Sequence, residues 1–285
     1  MDRSLRRWWA LFLLPTVAAF TVVFAVPFLL GVGLSFTRFT TVTDARFVGL
    51  DNYIRAFTAD EGLWHSLWFT ALFSAVSVVL VNVLALALAL ALTRGLHGTN
   101  ILRAVFFVPN LIGGIVLGYV WNLLINAVLG LWGADITHAA RYGFWGLVLL
   151  TVWQLAGYMM VIDIAALQSI PGELLEAAAI DGASPAQALW RIRLPLVMPS
   201  VAMCMFLTLT NTFKLFDQNL ALTGGAPDRQ TQLLALDIYR TFYGRTGWQG
   251  VGQAKGVLFF LLVAGLAFLQ LKLTGGLPGR QEARS

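Results

Sequence analysis

Lys214 and Asp217 stand three residues apart in the stretch NTFKLFDQN, residues 211–219, with amides and hydroxyls on either side. On one helix that spacing puts both charges on a shared face, where they can pair. Asn211, Thr212, Gln218 and Asn219 beside them offer hydrogen bonds to a polar solute and no nucleophile. Groups able to break bonds are scattered elsewhere. His65, His97 and His138 fall in three different loops and form no ligand pair by spacing. Cys204 is the single cysteine and lies in an apolar run, which excludes an intramolecular disulfide and a cysteine metal cluster and suits a small buried apolar role. The sequence has no G-x-x-x-x-G-K-[ST], and none of its three lysines follows a glycine. A G-x-S-x-G elbow and an H-E-x-x-H pair are also absent. These residues can bind a solute, but no metal, catalytic residue or enzyme activity is expected in this chain.

The elements that must hold them follow from composition. Of 285 residues, 58% are hydrophobic and 12% charged, about half the ~25% charge of a soluble domain. Several runs carry almost no charge over about 20 residues, enough to cross a ~30 Å hydrocarbon core. In lipid each such run must satisfy its backbone internally, so all should be helices. The expected fold class is an all-α polytopic membrane protein, a single transmembrane domain over 1–285. Its six spans are placed at about 9–36, 67–92, 104–127, 144–168, 196–216 and 253–272. The first apolar run, from Trp8 to Phe36, far exceeds a signal core of about 7–15 residues and reads as an uncleaved helix. Pro15, Pro27 and Pro109 should kink or bound helices. The Leu/Ala alternation ending span two makes a small–large packing surface, and Gly114–Gly118 matches GxxxG, a weak sign of a close helix crossing.

The net charge of +5 falls in short loops and termini, which points to membrane orientation and not to nucleic acid. Arg3, Arg6, Arg7, Arg94, Arg103, Arg191, Arg193, Lys272, Arg280 and Arg284 lie on one side; Arg38, Arg46, Arg55, Arg141, Arg229, Arg240 and Arg245 lie on the other. The first group has the shorter segments and fewer acids, so both termini and the loop 169–195 are expected in the cytoplasm. That loop has structure of its own. Ser169 and Pro171 should start a helix with Glu173 in its first turn. ELLEAAAI is strong helix former, and Gly182 can take the positive φ that ends it. Ser184-Pro185 should start a second short helix through Trp190, with Leu194-Pro195 leading into span five. By its residues alone the loop is either a connector lying on the membrane or a surface where Ala177, Ala178 and Ala179 let another protein approach. Lys255 and Lys272 flank span six and should snorkel to the interfaces.

Glu176-Ala177-Ala178, three residues, Gly182, nine residues and Ile192-Arg193-Leu194-Pro195 resemble the signature loop of ABC importer permeases. FFVPNLIGGIVLGYVW (106–121), WQLAGYMMVIDIAALQSIP (153–171) and FDQNLALTGGAPDRQTQLLALDIY (216–239) are similar to the binding-protein-dependent carbohydrate-uptake permeases related to the maltose transporter. One departure is Gly224-Gly225-Ala226-Pro227, where GGGP is commoner. The resemblance implies the permease subunit of an ATP-driven sugar importer in the cell membrane of a bacterium or archaeon. It implies a second homologous permease, making a heterodimer, two ATPase subunits, an extracytoplasmic solute-binding protein and a carbohydrate substrate. No cofactor is expected in this chain, ATP and Mg belonging to the partner ATPase.

The resemblance also assigns residues. The coupling helix, which enters a cleft of the ATPase, would use Glu173, Leu174, Glu176, Ala177, Ala178, Asp181 and Gly182. The substrate pathway would be lined by Asn110, Gly114, Gln154, Leu155, Tyr158, Asn211, Thr212, Lys214 and Leu215, with Tyr158 giving a sugar ring an apolar face and a hydroxyl. The loop 223–231, with Gly224, Gly225 and Pro227, would face the solute-binding protein. Asp163, near the cytoplasmic end of span four, is either a contact to the partner permease or a water-exposed or locally paired acid. No arginine lies within the six spans, so a neutral carbohydrate is expected, with Lys214 and Asp217 paired at the pocket edge. The alternatives are a related importer for glycerol phosphate or another polar solute, and a stand-alone secondary transporter. The last would call for inverted-repeat halves or a row of buried acids, neither of which is evident.

Overall fold

A computed structural model describes residues 13–94 and 98–274. The expected start of span one at 9–12, His97 and the arginines at positions 3, 6, 7, 280 and 284 lie outside the described residues. In chain order the elements are α1 (Leu13–Leu34), the hairpin strands β1 (Thr37–Arg38) and β2 (Arg46–Phe47), α2 (Asp51–Thr58), α3 (Glu61–Leu92), α4 (Thr99–Phe107) running into a 3-10 turn Val108–Leu111, and α5 (Gly114–Gly130). Then come α6 (Ala140–Gln168), α7 (Gly172–Ile180), α8 (Pro185–Phe213), α9 (Asp217–Leu222), α10 (Leu234–Gly244) and α11 (Gln249–Thr274). The all-α membrane fold is borne out: among the described residues five helices (α1, α3, α6, α8 and α11) are long and apolar enough to cross a bilayer.

The third expected span is not one helix. Thr99–Leu111 and Gly114–Gly130 meet at 102° and make six crossings only if the pair counts as one. Pro109 supplies no N–H, the helix tightens to 3-10 around it, and Ile112 and Gly113 are extended before α5 begins. Non-helical backbone at membrane depth is tolerated where it is packed on protein or lines a cavity, and this break does both. Pro27 and Pro195 do not break their helices. Each follows a π-helical turn, Thr21–Ala25 and Leu189–Arg193, where a wider ring absorbs the register change that a proline imposes. The second helix expected in the loop 169–195 is therefore the first turns of α8, continuous with span five. Ser169 also plays a different part from the one expected. It closes the end of α6, its hydroxyl donating to the Ala166 carbonyl at 2.8 Å, while α7 starts at Pro171 with no side-chain cap.

The described residues form two compact units, 13–63 with 238–261, and 64–94 and 98–237 with 262–274. In the first, Asn52 donates to the carbonyls of Ser35 and Thr37 at 2.9 and 2.8 Å, tying α2 to the entry of the hairpin. Its buried charge corrects a reading made from sequence. Lys255 does not snorkel: it is fully buried and its Nζ lies 2.6 Å from Asp60 Oδ2 and 2.9 Å from Thr241 Oγ1. Arg245 reaches the same oxygen at 3.3 Å, whereas Lys272 is exposed. A lysine in an apolar helix leaves the interior for water only if nothing inside neutralises it, and Asp60 does.

Burial alone would push the Asp60 carboxyl up. The hydrogen bond and charge of Lys255 and the charge of Arg245 outweigh it and hold it below the usual carboxylate range. A depressed folded-state value stabilises above the ordinary carboxylate range and is lost as pH falls through the lowered value. Thermal unfolding in detergent should show that acid-side loss. Asp60→Asn should remove it and cost about 3 kcal/mol by leaving Lys255 buried without its counter-charge. A flat acid-side profile in the parent chain would refute the role given to Asp60.

The second unit carries two apolar cores. One joins Phe69 and Phe73 of α3 to Leu147, Val148 and Leu150 of α6 and to Leu215, Leu222 and Leu233. The other packs Ala85 and Ala89 of α3 against Met159 and Met160 of α6 and Cys204 of α8, the small residues of the Leu/Ala run facing inward as expected. Cys204 is buried there. Asp163 is buried and so not water-exposed; its Oδ1 accepts from Ser200 at 3.4 Å and from the Cys204 thiol at 3.6 Å, while its Oδ2 has no hydrogen-bond partner within the chain. His65 belongs to helix α3 and not to a loop, its Nε2 standing 3.0 Å from the Gln230 carbonyl.

Candidate functional site

A cavity of about 720 Å³ opens within the second unit where three elements meet. Helix α6 presents Gln154, Leu155 and Tyr158, positions spaced to share one face. Helix α8 presents Leu207, Asn211 and Lys214 at the same periodicity, and Asn110 comes from the 3-10 turn at the break of the third span. The chain then turns after α8, and Leu215, Phe216, Asp217 and Gln218 complete the lining. Gln218 Nε2 donates to Gln154 Oε1 at 2.9 Å, which orients both amides at the cavity wall.

Backbone proximity makes this convergence possible. A side chain at Gly157 would meet the Phe106 carbonyl oxygen at 1.8 Å, so α6 and α4 touch through their backbones one residue from Tyr158. A Cβ at Gly114 would meet Asp217 Cβ at 2.7 Å, and one at Gly118 would meet Ala221 Cβ at 2.7 Å. The GxxxG pair is thus a close crossing of α5 with the short helix α9, and Asn122 Nδ2 fastens its end by donating to the Leu222 carbonyl at 2.6 Å.

Of the nine positions expected along the substrate pathway, seven line the cavity: Asn110, Gln154, Leu155, Tyr158, Asn211, Lys214 and Leu215. Thr212 does not. It is buried on the other side of α8, its hydroxyl spent on the Leu209 carbonyl at 2.9 Å. Gly114 sits behind the wall, where it lets Asp217 and Gln218 come close. The expected Lys214–Asp217 ion pair is not formed: α8 ends at Phe213, Lys214 caps it, and Asp217 opens a separate helix, so the i, i+3 relation does not apply. Ion pairs elsewhere among the described residues include Arg38–Asp51, Arg245–Asp60 and Lys255–Asp60. Asp217 lines the cavity, in keeping with its expected place at the pocket edge. Leu207, one turn before Asn211 on α8, and Phe216 and Gln218, whose direction is set by the turn between α8 and α9, were not expected there.

The residues expected to couple to a partner lie on α7 and its end. Glu173, Leu174, Glu176, Ala177, Asp181 and Gly182 are exposed, and Ala178 is buried. The helix stops as expected at Gly182, with φ +78. Ala183 N–H donates to the Ala178 carbonyl at 2.9 Å and Gly182 N–H to that of Ala179 at 3.1 Å, the two bonds of a Schellman end. Leu174, Ile180 and Trp190 leave apolar surface in the open, Ile180 at 86% exposure, which is where a folded partner gains most by covering it.

The loop 223–231 is built from within. Asn219 donates to Thr223 Oγ1 at 3.0 Å and to the Thr231 carbonyl at 2.8 Å and accepts from Leu233 N–H at 3.0 Å. Gly224 and Gly225 take φ +53 and +80. Gly225 is buried, Gly224 and Pro227 are half-buried, and Asp228, Arg229 and Gln230 form the exposed tip. The glycines therefore shape the loop, and the three residues after Pro227 offer its outer surface.

Residues 84–274 match the family described as binding-protein-dependent transport system inner membrane component. The chain is 41% identical over 276 residues, 94% of each sequence, to the probable starch degradation products transport system permease protein AmyD of Thermoanaerobacterium thermosulfurigenes. It is 33% identical over 274 residues, 92% of each, to the trehalose/maltose transport system permease protein MalF of Thermococcus litoralis. Its fold superposes with TM-score 0.81, at 19% identity and over 97% of this chain and 98% of the other, on a subunit of a bacterial ABC transporter involved in the import of the acidic polysaccharide alginate.

Proposed function

The chain belongs to the binding-protein-dependent transport system inner membrane components, and from that premise we propose that it is the permease subunit of an ATP-driven importer of a neutral carbohydrate. The observation that carries the substrate class is the cavity lining: four amides (Asn110, Gln154, Asn211 and Gln218) and the Tyr158 phenol among Leu155, Leu207 and Phe216. Amides donate and accept at once, as sugar hydroxyls do, and the apolar groups between them suit the faces of a sugar ring. One lysine and one carboxylate leave the lining near zero net charge, whereas a phosphate site gathers several donors or an arginine fork. The relatives named for starch degradation products and for trehalose and maltose support the same class.

The remaining parts follow from the same reading. Both termini face the cytoplasm, α7 docks on one of two ATPase subunits that supply the ATP and Mg chemistry, and a second, homologous permease closes the cavity from the other side. The loop tip Asp228–Gln230 meets an extracytoplasmic solute-binding protein. ATP-driven closure of the ATPase pair then turns the permeases about the cavity, exposing it to each side alternately.

Transport in proteoliposomes tests the substrate class. Because Lys214 and Asp217 are not paired, their effects should add, without rescue in the double variant. For a neutral sugar, Lys214→Gln and Asp217→Asn should each lower uptake by a similar factor of about 10 to 150, the ~1.5–3 kcal/mol of one hydrogen bond to a charged group, and neither should abolish it. If Lys214→Gln abolished uptake while Asp217→Asn left it unchanged, the lysine would be reading an anion and the neutral assignment would fall.

A further inference from the structure

A second, smaller cavity of about 280 Å³ lies between the end of α3 and the first turns of α8. Each side contributes a leucine and an arginine, Leu90 and Arg94 from the first, Leu189 and Arg193 from the second, with Pro185 and Ala188 between. Arg193 is half-buried and Arg94 exposed, and no ion pair joins either to an acid among the described residues. Two guanidinium groups facing one cavity repel each other unless an anion stands between them, and the flat fork of each matches phosphate oxygens in two parallel hydrogen bonds. The helix start beside them is already occupied. Ser184 Oγ accepts from Gln187 N–H at 3.3 Å and Gln187 Oε1 from Ser184 N–H at 2.7 Å, so the arginines and not the helix terminus are the open donors.

We propose that this cavity binds the head group of an anionic phospholipid, its phosphate held by Arg94 and Arg193 and its glycerol and first methylenes against Leu90 and Leu189. The apolar half of the lining selects a lipid over free phosphate, since a hydrated anion gains nothing from leucine. Arg94 stands two residues beyond the apolar span that ends at Leu92, a position from which a basic side chain can reach lipid head groups. Basic pockets between membrane helices on the cytoplasmic side are suited to such head groups, and cardiolipin with two phosphates is the best match to two arginines. The site stands at the root of α8, whose first residue Pro185 follows Ala178 of the EAA triad by seven positions, so an occupying lipid would brace the element to which α7 is joined. Its placement on the cytoplasmic face rests on the orientation proposed above.

The test uses the purified full-length chain with its co-purifying subunits, stripped of lipid in detergent and titrated with cardiolipin, phosphatidylethanolamine or inorganic phosphate, with native mass spectrometry counting what stays bound. Cardiolipin should be retained in preference to phosphatidylethanolamine, and Arg94→Gln/Arg193→Gln should weaken it about 25-fold, roughly fivefold for each arginine. Arg191→Gln, exposed and outside the cavity, should change nothing. Arg94→Lys/Arg193→Lys, which keeps the charge and loses the forks, should fall in between. Equal retention by the glutamine double variant would overturn the proposal. So would displacement of the lipid by inorganic phosphate, which would mark a free-anion site. Loss of an ATPase subunit from the double variant with lipid retention unchanged would also overturn it, assigning the arginines to protein docking. Failure of the transport reading would leave these lipid counts untouched. An error of orientation alone would appear as labelling of Arg94→Cys by an impermeant maleimide from outside intact cells.

Discussion

Gly182→Val should leave the chain in the membrane and folded, yet lower substrate-stimulated ATP hydrolysis by the assembled transporter at least about a hundredfold. The φ of +78 at this residue costs glycine nothing, whereas an L side chain pays roughly 1–2 kcal/mol there and a β-branched one more. Nothing stands within 4 Å of where a Cβ would be, so the penalty is one of backbone conformation alone. It is relieved by giving up the bonds from Gly182 and Ala183 to the Ala179 and Ala178 carbonyls, which fray the end of α7 and re-aim Leu174 and Ile180. Because α7 lies on the surface, the cores are not disturbed. Gly182→Asn is the informative companion, since asparagine tolerates the left-handed region best among other residues and should keep most of the coupling. If valine and asparagine behaved alike, or if valine transported normally, α7 would not be the coupling element.

Gly157→Val should have a still larger effect of a different kind. The added Cβ would stand 1.8 Å from the Phe106 carbonyl oxygen and 2.3 Å from its carbon, far inside contact distance and against backbone that has no rotamer to change. Helices α6 and α4 must separate, and with them Tyr158 and Asn110, which line the same cavity. A loss of order 5 kcal/mol is expected, at the extreme of single substitutions. It should appear as a lowered unfolding temperature in detergent together with abolished uptake. Gly157→Ala meets the same carbonyl with its one carbon and should already show most of the loss. A parent-like unfolding temperature for Gly157→Val would mean that the contact between α4 and α6 does not hold the site together.

What could be read from the sequence was local. The apolar runs, the EAA helix from Glu173 to its stop at Gly182 and the capping role of Ser184 depend on composition, propensity and φ preference, all properties of short stretches. Seven of the nine positions expected along the pathway line one cavity, a convergence that the family resemblance and not any local pattern had pointed to. What the sequence left open depended on contacts between distant residues. Lys255 was expected to reach for water because its partner Asp60 lies 195 residues away, and no periodicity joins them. Lys214 and Asp217 were expected to pair because three residues on a helix share a face, but the helix ends between them, and that end was not evident in a polar stretch without glycine or proline.

Pro109 announced a break, but its 102° angle is set by the packing of α5 against α9 through Gly114 and Gly118. The sequence by itself therefore determined the kind of solvent, the positions of the apolar runs and the helix of the loop 169–195 with its stop at Gly182, because each arises from interactions a few residues apart. Only the tertiary structure decided which charges are buried, which backbones touch and which side chains share a cavity, because those free energies exist only once segments far apart in the chain have met.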